Sequence, residues 1–210
     1  MQTIGTLTLI GSSPATAYDE PVSVSEMAHY LALPETLNYA EESQLSGMIT
    51  AAREEAERCQ NRDLVLKQWE MNHDYFWTEE IELRSGLVSV ELVKRKDSEG
   101  NETTLVENTD YLVDAKKEPG VIMPTYGNTW LSFTPWPSSA VTIQFTAGKA
   151  SAGAFWAGGH GQKIKIGIMM LVSEWYNNRL PRSYSAAAGG TGEFDPIAHL
   201  LSSGARLRAR

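Results

Sequence analysis

The sequence has one cysteine among its 210 residues, so neither an internal disulfide nor a cysteine cluster for a metal can form. We interpret Cys59 as a small core residue on the apolar face of a predicted helix. Long apolar runs are also missing. The longest, Ile164 to Val172, is interrupted by Lys165 and Gly167, and it is shorter than the roughly 20 residues that cross a bilayer. The N-terminus lacks a cleavable signal pattern, so we expect a cytoplasmic protein that does not span a membrane.

Motifs of common catalytic and cofactor sites are absent. The sequence contains no His-x-His or His-Glu-x-x-His pair and no Gly-x-Ser-x-Gly elbow. The glycine-rich stretch Ala157–Gly161 fits neither the phosphate-binding nor the dinucleotide-binding fingerprint, and we interpret it as a hinge or loop. Glu79, Glu80 and Glu82 could resemble a glycosidase pair, but Glu80 and Glu82 lie on one face of a predicted strand, and we interpret them as solvent-facing. The sequence therefore predicts no enzyme, no cofactor and no metal site. The four histidines are far apart: His29, His73, His160 and His199.

Basic side chains are scarce relative to acidic ones, and the imbalance is uneven along the chain. There are 18 Lys and Arg against 26 Asp and Glu, which gives a net charge of -8. The first 158 residues carry 11 basic and 23 acidic side chains, whereas the last 52 carry 7 and 3. Affinity for nucleic acid comes mainly from Lys and Arg contacts to phosphates. We therefore expect DNA near this protein to pass without being gripped.

Hydrophobic spacing predicts helices on both sides of the middle of the chain. Ser23 precedes Glu26 by three residues, which predicts a capped start for a short helix through about Leu31. Apolar residues at spacings of three and four predict amphipathic helices over Tyr39–Asn61 and Gln162–Arg179.

Between the long helices, the pattern changes to alternation with β-branched and aromatic residues, which is typical of strands. Turn residues from Asp97 to Asn101, with Gly100 among them, predict a hairpin. Residues 1–22 have no helical period and predict an extended arm that lies on a surface. The middle of the chain is therefore predicted to be an antiparallel β-domain. Its predicted strands are Leu64–Met71, Ile81–Leu83, Leu87–Lys94, Thr103–Val106, Tyr111–Val113, Gly120–Met123 and Val141–Phe145.

Four stretches carry motifs in a specific order. The end of the first long helix and the following strand contribute Ile49, Ala52, Arg53, Glu57, Arg62, Leu64, Gln68 and Trp69. The predicted hairpin and a later Asp-Tyr strand contribute Val88, Val90, Asp97, Gly100, Asp110, Tyr111 and Val113. The last strand and the last long helix contribute Val141 to Gly148, Leu171, Val172 and Trp175 to Arg179. Over about residues 21 to 206 this order resembles the head-to-tail connector (adaptor) proteins of long-tailed bacteriophages.

The resemblance implies a structural protein of the virion neck, assembled in the host cytoplasm. Such a protein forms a homo-oligomeric ring of about twelve copies beneath the portal protein. The ring joins the DNA-filled head to the neck, stopper or tail-terminator proteins and lines the channel through which double-stranded DNA passes without sequence-specific binding. Helices build the ring in this family. The residues predicted at the subunit interface are Arg53, Trp175, Tyr176 and Arg179.

The resemblance also implies that the C-terminal segment docks on the portal. Ser183–Gly192 is rich in small residues and flexible, and Asp195-Pro196 is a helix start signal. Such a segment can order on a partner by burying apolar side chains and pairing its arginines with carboxylates. The predicted docking residues are Ile197, Leu200, Leu201, Arg206, Arg208 and Arg210.

These observations predict an α+β fold: a small helical bundle with an inserted antiparallel β-domain, an extended N-terminal arm and a C-terminal docking tail. The predicted boundaries are 1–22 for the arm, 23–62 with 160–181 for the helical ring-forming domain, 63–149 for the β-domain and 182–210 for the tail.

Two other functions stay open at this point. Five aromatics lie in loops rich in proline and glycine, where they either form a contact surface or close the open end of the β-domain. If they form a surface, the β-domain could be a binding module for carbohydrate that uses Trp130, Trp136 and Trp156. An enzyme of unknown class is the other alternative. The five aromatics are Trp130, Phe133, Trp136, Phe155 and Trp156.

Overall fold

The computed structural model describes residues 6–12, 20–34, 36–76, 80–127, 129–130, 134–149 and 154–177. The chain divides into two compact units. Of these described residues, those in 6–12 and 65–149 belong to the β-unit, and those in 20–64 and 154–177 belong to the helical unit. The helices are α1 (Val24–Tyr30), α2 (Tyr39–Gln60), α3 (Ala154–Ala157) and α4 (Gly159–Asn177). The strands are β1 (Thr6–Ser12), β2 (Lys67–His73), β3 (Ile81–Glu82), β4 (Leu87–Lys96), β5 (Glu102–Leu105), β6 (Tyr111–Asp114), β7 (Val121–Pro124) and β8 (Val141–Ala147).

This architecture confirms the predicted α+β class. All the strand pairs of the two sheets are antiparallel. The described N-terminal residues of the predicted arm, Thr6–Ser12, are extended and form β1, which pairs with β2. β1 therefore belongs to the β-unit.

Reciprocal capping boxes fix where α1 and α2 begin. In α1, the Glu26 N–H donates to Ser23 Oγ at 3.1 Å, and the Ser23 N–H donates to Glu26 Oε2 at 2.9 Å. This confirms the predicted capped start. In α2, Asn38 and Glu41 make the same pair of bonds at 3.0 and 3.2 Å. Each box satisfies amides that the first helical turn leaves without partners.

The core of the helical unit is formed where α1, α2 and α4 bring their apolar faces together. Leu45 and Ile49 of α2 are buried one turn apart, as are Ile164 and Ile168 of α4. That spacing is the helical period on which the prediction of two amphipathic helices rested. The buried core residues are Val22, Met27, Leu45, Ile49, Ala52, Ala56, Leu64, Trp156, Ile164, Ile168, Leu171 and Val172.

The glycine-rich stretch before the last helix differs from the prediction of a hinge or loop. Gly158 separates α3 from α4, but α4 already begins at Gly159, three residues before the predicted start. Gly161 lies inside α4 and is buried. A Cβ at this position would lie 2.3 Å from the carbonyl oxygen of Phe155, so the glycine permits the close approach of α3 to α4.

The β-unit consists of a five-stranded sheet with the order β1-β2-β8-β4-β5 and a three-stranded sheet with the order β3-β7-β6. Alternate side chains of β8, including Ile143 and Phe145, are fully buried. They belong to one apolar cluster with Ile81 of β3 and Ile122 of β7. One face of the large sheet therefore shares a core with the small sheet, as the period of two in a half-buried strand requires.

The predicted hairpin is confirmed by the antiparallel pairing of β4 with β5. In its turn, Asp97 Oδ1 accepts hydrogen bonds from the amides of Glu99 and Asn101 at 3.0 and 2.9 Å. These bonds lower the pKa of Asp97, chiefly through the Asn101 amide. Gly100 has a φ of 88°, which glycine adopts without steric cost.

Gly148 is placed where no side chain fits. Its φ is +124°, and a Cβ would lie 2.0 Å from the carbonyl oxygen of Val65. The strand that leaves the β-unit therefore passes directly beside the segment that enters it.

We predict that Gly148→Ala lowers the free energy of unfolding by about 3 kcal/mol or more, because the new methyl group collides with backbone and the φ is unfavourable. Gly159→Ala is the control, since a Cβ there meets no atom within 4 Å, and it should change stability by less than about 0.5 kcal/mol. Urea denaturation followed by circular dichroism measures both. Equal effects would contradict the close approach at Gly148.

Candidate subunit-interaction site

The charged centre of the helical unit is Arg53 of α2, whose residue surface is only 2% exposed. Its Nε lies 2.9 Å from Glu20 Oε2, and its Nη1 lies 2.8 Å from Glu57 Oε2. Thr50 Oγ1 donates to Glu20 Oε1 at 3.0 Å, and the Leu64 N–H donates to Glu57 Oε1 at 2.9 Å. A buried charge is tolerated when opposite charges and hydrogen bonds compensate its desolvation. We refer to these five residues as the Arg53 network.

The Arg53 network connects α2 to both segments at which the chain changes unit. The helical unit starts at Asp19, directly before Glu20, and its first half ends at Leu64. Glu20 is bonded to Thr50 and Arg53 of α2, and Leu64 is bonded to Glu57, which lies one turn after Arg53. This fixes both connections relative to α2.

The predicted subunit-interface residues occupy different environments. Arg53 is buried and bonded within its own chain. Trp175 and Tyr176, near the end of α4, are half-buried and pack against the helical core. Arg179 lies outside the described residues, as do all six predicted docking residues from Ile197 to Arg210.

Two outward helix faces were not predicted. Ile166 of α4 is 43% exposed, although its neighbours Ile164 and Ile168 are fully buried. On α2, Gly47 and Ala51 are exposed. The sequence did contain a signal for the outward position of Ile166, because this apolar residue does not share the helical spacing of the buried Ile164 and Ile168.

The tryptophans of the carbohydrate alternative do not form one aromatic surface. Trp156 is 6% exposed and belongs to the helical core. Trp130 stacks on Phe76 with ring centroids 4.4 Å apart. Trp136 is 38% exposed, with Lys96 Nζ 4.8 Å from its ring centroid. Exposed ring faces are what a sugar would need, so these positions give that alternative no support.

No three His, Cys, Asp or Glu side chains in the described part of the chain are grouped to hold a metal ion. His73 is buried at the end of β2, where desolvation lowers its pKa to about 4 and keeps it neutral at physiological pH. Glu80 and Glu82 are exposed, as predicted, and Glu79 lies outside the described residues.

One cleft of the helical unit has a volume of about 270 Å³. Apolar side chains line it together with His29 of α1 and Glu42 of α2. Pockets that enclose a small molecule usually begin at roughly 300 Å³ and bury most of the ligand.

Over the described helices, none has the length and apolarity needed to cross a membrane.

Replacing Arg53 with methionine tests the network. Arg53→Met should lower the free energy of unfolding by about 3–5 kcal/mol, because the carboxylates of Glu20 and Glu57 lose their bonds to the buried guanidinium. The control is Arg58→Met, since Arg58 pairs with Glu55 on the exposed side of the same helix. It should leave the urea midpoint almost unchanged, because exposed ion pairs contribute little. Similar midpoints for both variants would show that Arg53 is not needed.

Comparison with known proteins relates this fold to particle necks. No protein-family model and no curated protein matches the sequence. The neck of an empty GTA particle computed with C6 symmetry contains a chain with a TM-score of 0.71 and 19% identity, over 98% of this chain and 97% of that chain. A chain in the virion of a native gene transfer agent (GTA) particle has a TM-score of 0.68 and 17% identity, over 97% of each chain. A third, in the neck of the native GTA particle computed with C12 symmetry, has a TM-score of 0.65 and 17% identity, over 98% and 97%. The fold is therefore shared with these chains over nearly its whole length.

Proposed function

We propose that this chain is a structural head-to-tail connector (adaptor) of a phage-like particle. Its copies, about twelve in number, form a ring in the virion neck between the portal and the next neck or tail protein. The observation that carries the proposal is the fold shared over 98% of this chain with chains from necks computed with C6 and C12 symmetry. Rotational symmetry of those necks supports a closed ring of identical subunits here.

The charge of the chain supports a channel through which DNA slides. Each copy has a net charge of -8, and a ring multiplies the field of one subunit around its opening. Phosphates are repelled by such a field, and few Lys or Arg side chains are available to bind them. The proposed role requires passage of double-stranded DNA, but no sequence-specific contact, catalytic step or cofactor.

The helical unit supports the ring through bonds that hold α2 in place within the subunit. Arg53 acts indirectly in this proposal, because it holds α2 through Glu20 and Glu57 rather than reaching a neighbour. Trp175 and Tyr176 pack on the core and shape the end of α4 near the proposed subunit contact. Arg179 follows them in the sequence and is proposed to extend that contact.

The basic C-terminal segment supports the attachment to the portal. It carries Arg206, Arg208 and Arg210 after the apolar residues Ile197, Leu200 and Leu201. Such a segment can order on an acidic and apolar partner surface. We propose that surface to be on the portal protein.

Negative-stain images of the purified full chain, alone and mixed with portal, test the function. We expect rings, and stacked rings when portal is present, because the proposed role places the two proteins on one axis. A chain that remains monomeric in both samples and does not associate with portal would overturn the proposal.

Deleting residues 195–210 separates folding from docking. We expect an unchanged circular dichroism spectrum and unchanged rings, but roughly tenfold or greater loss of joining to portal-bearing heads, because the segment supplies the anchor residues. The matched control replaces only Ser202 and Ser203 with alanine, and it should join normally. Undiminished joining by the deletion variant would reject the role of the tail.

A further inference from the structure

Helices α2 and α4 each have an outward face that carries exposed residues, with Gly47 and Ala51 on α2 and Ile166 on α4. On a helix with about 3.6 residues per turn, a residue two positions along is rotated by about 200°. Gly47 is related in this way to the buried Leu45, and Ile166 to the buried Ile164. Gly47 is exposed, and a Cβ placed on it meets no atom within 4 Å. Open space therefore lies over this face of α2.

The two outward faces point in different directions. Leu45 and Ile49 of α2 share one core with Ile164 and Ile168 of α4. Because the helices meet through these buried faces, their opposite faces point away from each other. A surface on one side of a subunit and a different surface on the other side are the requirement for head-to-tail association into a ring.

The outward residues of the two helices have matching spacings. Along α4, from Lys163 to Asn177, successive outward residues are three, four, three and four positions apart. Along α2 the same spacings occur when the helix is followed backwards, from Glu54 to Ala40. Antiparallel alignment therefore pairs every position of one face with a position of the other, in the alternation that helix packing through knobs and holes requires. The paired positions are Lys163 with Glu54, Ile166 with Ala51, Met170 with Gly47, Ser173 with Gln44 and Asn177 with Ala40.

Size and charge are complementary in this register. Ile166, which is exposed, and Met170, which is half-buried, oppose the small residues Ala51 and Gly47 in this register. Lys163 is exposed and opposes Glu54, whose side chain is 64% exposed and whose contact with Arg53 is a loose 3.6 Å.

We propose that the outward face of α4 in one copy packs antiparallel on the outward face of α2 in the next copy. The occupant of each face is thus a second copy of this chain, and repetition of the contact closes the ring. This inference rests on the proposed function and specifies which helices and which register make the ring.

Charge reversal tests the register. Lys163→Glu and Glu54→Lys should each reduce the ring fraction roughly tenfold or more by native mass spectrometry, because like charges then face each other. The double variant should recover most of the rings, since the pair is restored with opposite polarity. Glu42→Lys is the control: it makes the same charge change on α2 but lines the cleft, and rings should form normally.

Cross-linking tests the same contact without relying on charge. In a Cys59→Ser background, Ile166→Cys combined with Ala51→Cys should give a ladder of disulfide-linked multimers on a non-reducing gel. Ile166→Cys combined with Glu42→Cys should give none. The chain's own tail is the alternative occupant of the face. In that case the Ile166→Cys thiol would be protected from alkylation in monomers, and deleting residues 195–210 would remove the protection. This result would overturn the proposal.

The outcomes separate this inference from the proposed function. One outcome is that wild-type rings form and stack on portal while the charge-reversal variants keep their ring fraction and the cysteine pair gives no disulfide-linked multimers. In that case the register is wrong and the connector function stands. If wild-type chain forms no ring with or without portal, the connector function fails, and the register fails with it.

Discussion

The helical unit depends on the compensation of one buried positive charge. Arg53 is almost completely removed from solvent, so its guanidinium must keep both Glu20 and Glu57 within bonding distance. Ion pairs of this kind often add little net stability, yet they define geometry, because any misplacement leaves a charge unpaired in a poorly solvated site. A directional constraint therefore exists where apolar packing alone would tolerate several arrangements.

That constraint bears on assembly, because a subunit must present the same surfaces in every copy of a ring. α2 contributes both the inward Arg53 network and the outward face proposed to receive a neighbour. These two sides of the same helix face opposite ways, so the ion pairs of Arg53 on the inward side position the residues on the outward side. In the proposed ring, the acidic body would face the channel and the basic C-terminal segment would face the partner protein.

The parts of the fold that were predictable are those determined by nearby residues. The capping box of Ser23 and Glu26, the period of α2 and the turn at Asp97 depend on contacts within a few positions. The helical start at Gly159 was missed because the buried position of Gly161 depends on the close approach of Phe155.

The candidate site was less predictable for the same reason. An arginine in an amphipathic helix normally indicates a solvated face, and the burial of Arg53 follows from Glu20, which is 33 residues earlier. Ile166 lies within an apolar run, and only its phase relative to the buried Ile164 and Ile168 distinguishes it as an outward residue. Trp175 was expected at a surface between subunits, but its indole also packs on the core.

The narrow passage between Gly148 and Val65 bears on how such a chain evolves. Residues 65–149 begin and end at neighbouring points, so a short bridge could replace the whole segment at little cost in chain entropy. Insertions confined between two adjacent ends can be exchanged, enlarged or trimmed without redesigning the scaffold that carries them. The length of this segment can therefore change while its two ends stay adjacent at Val65 and Gly148.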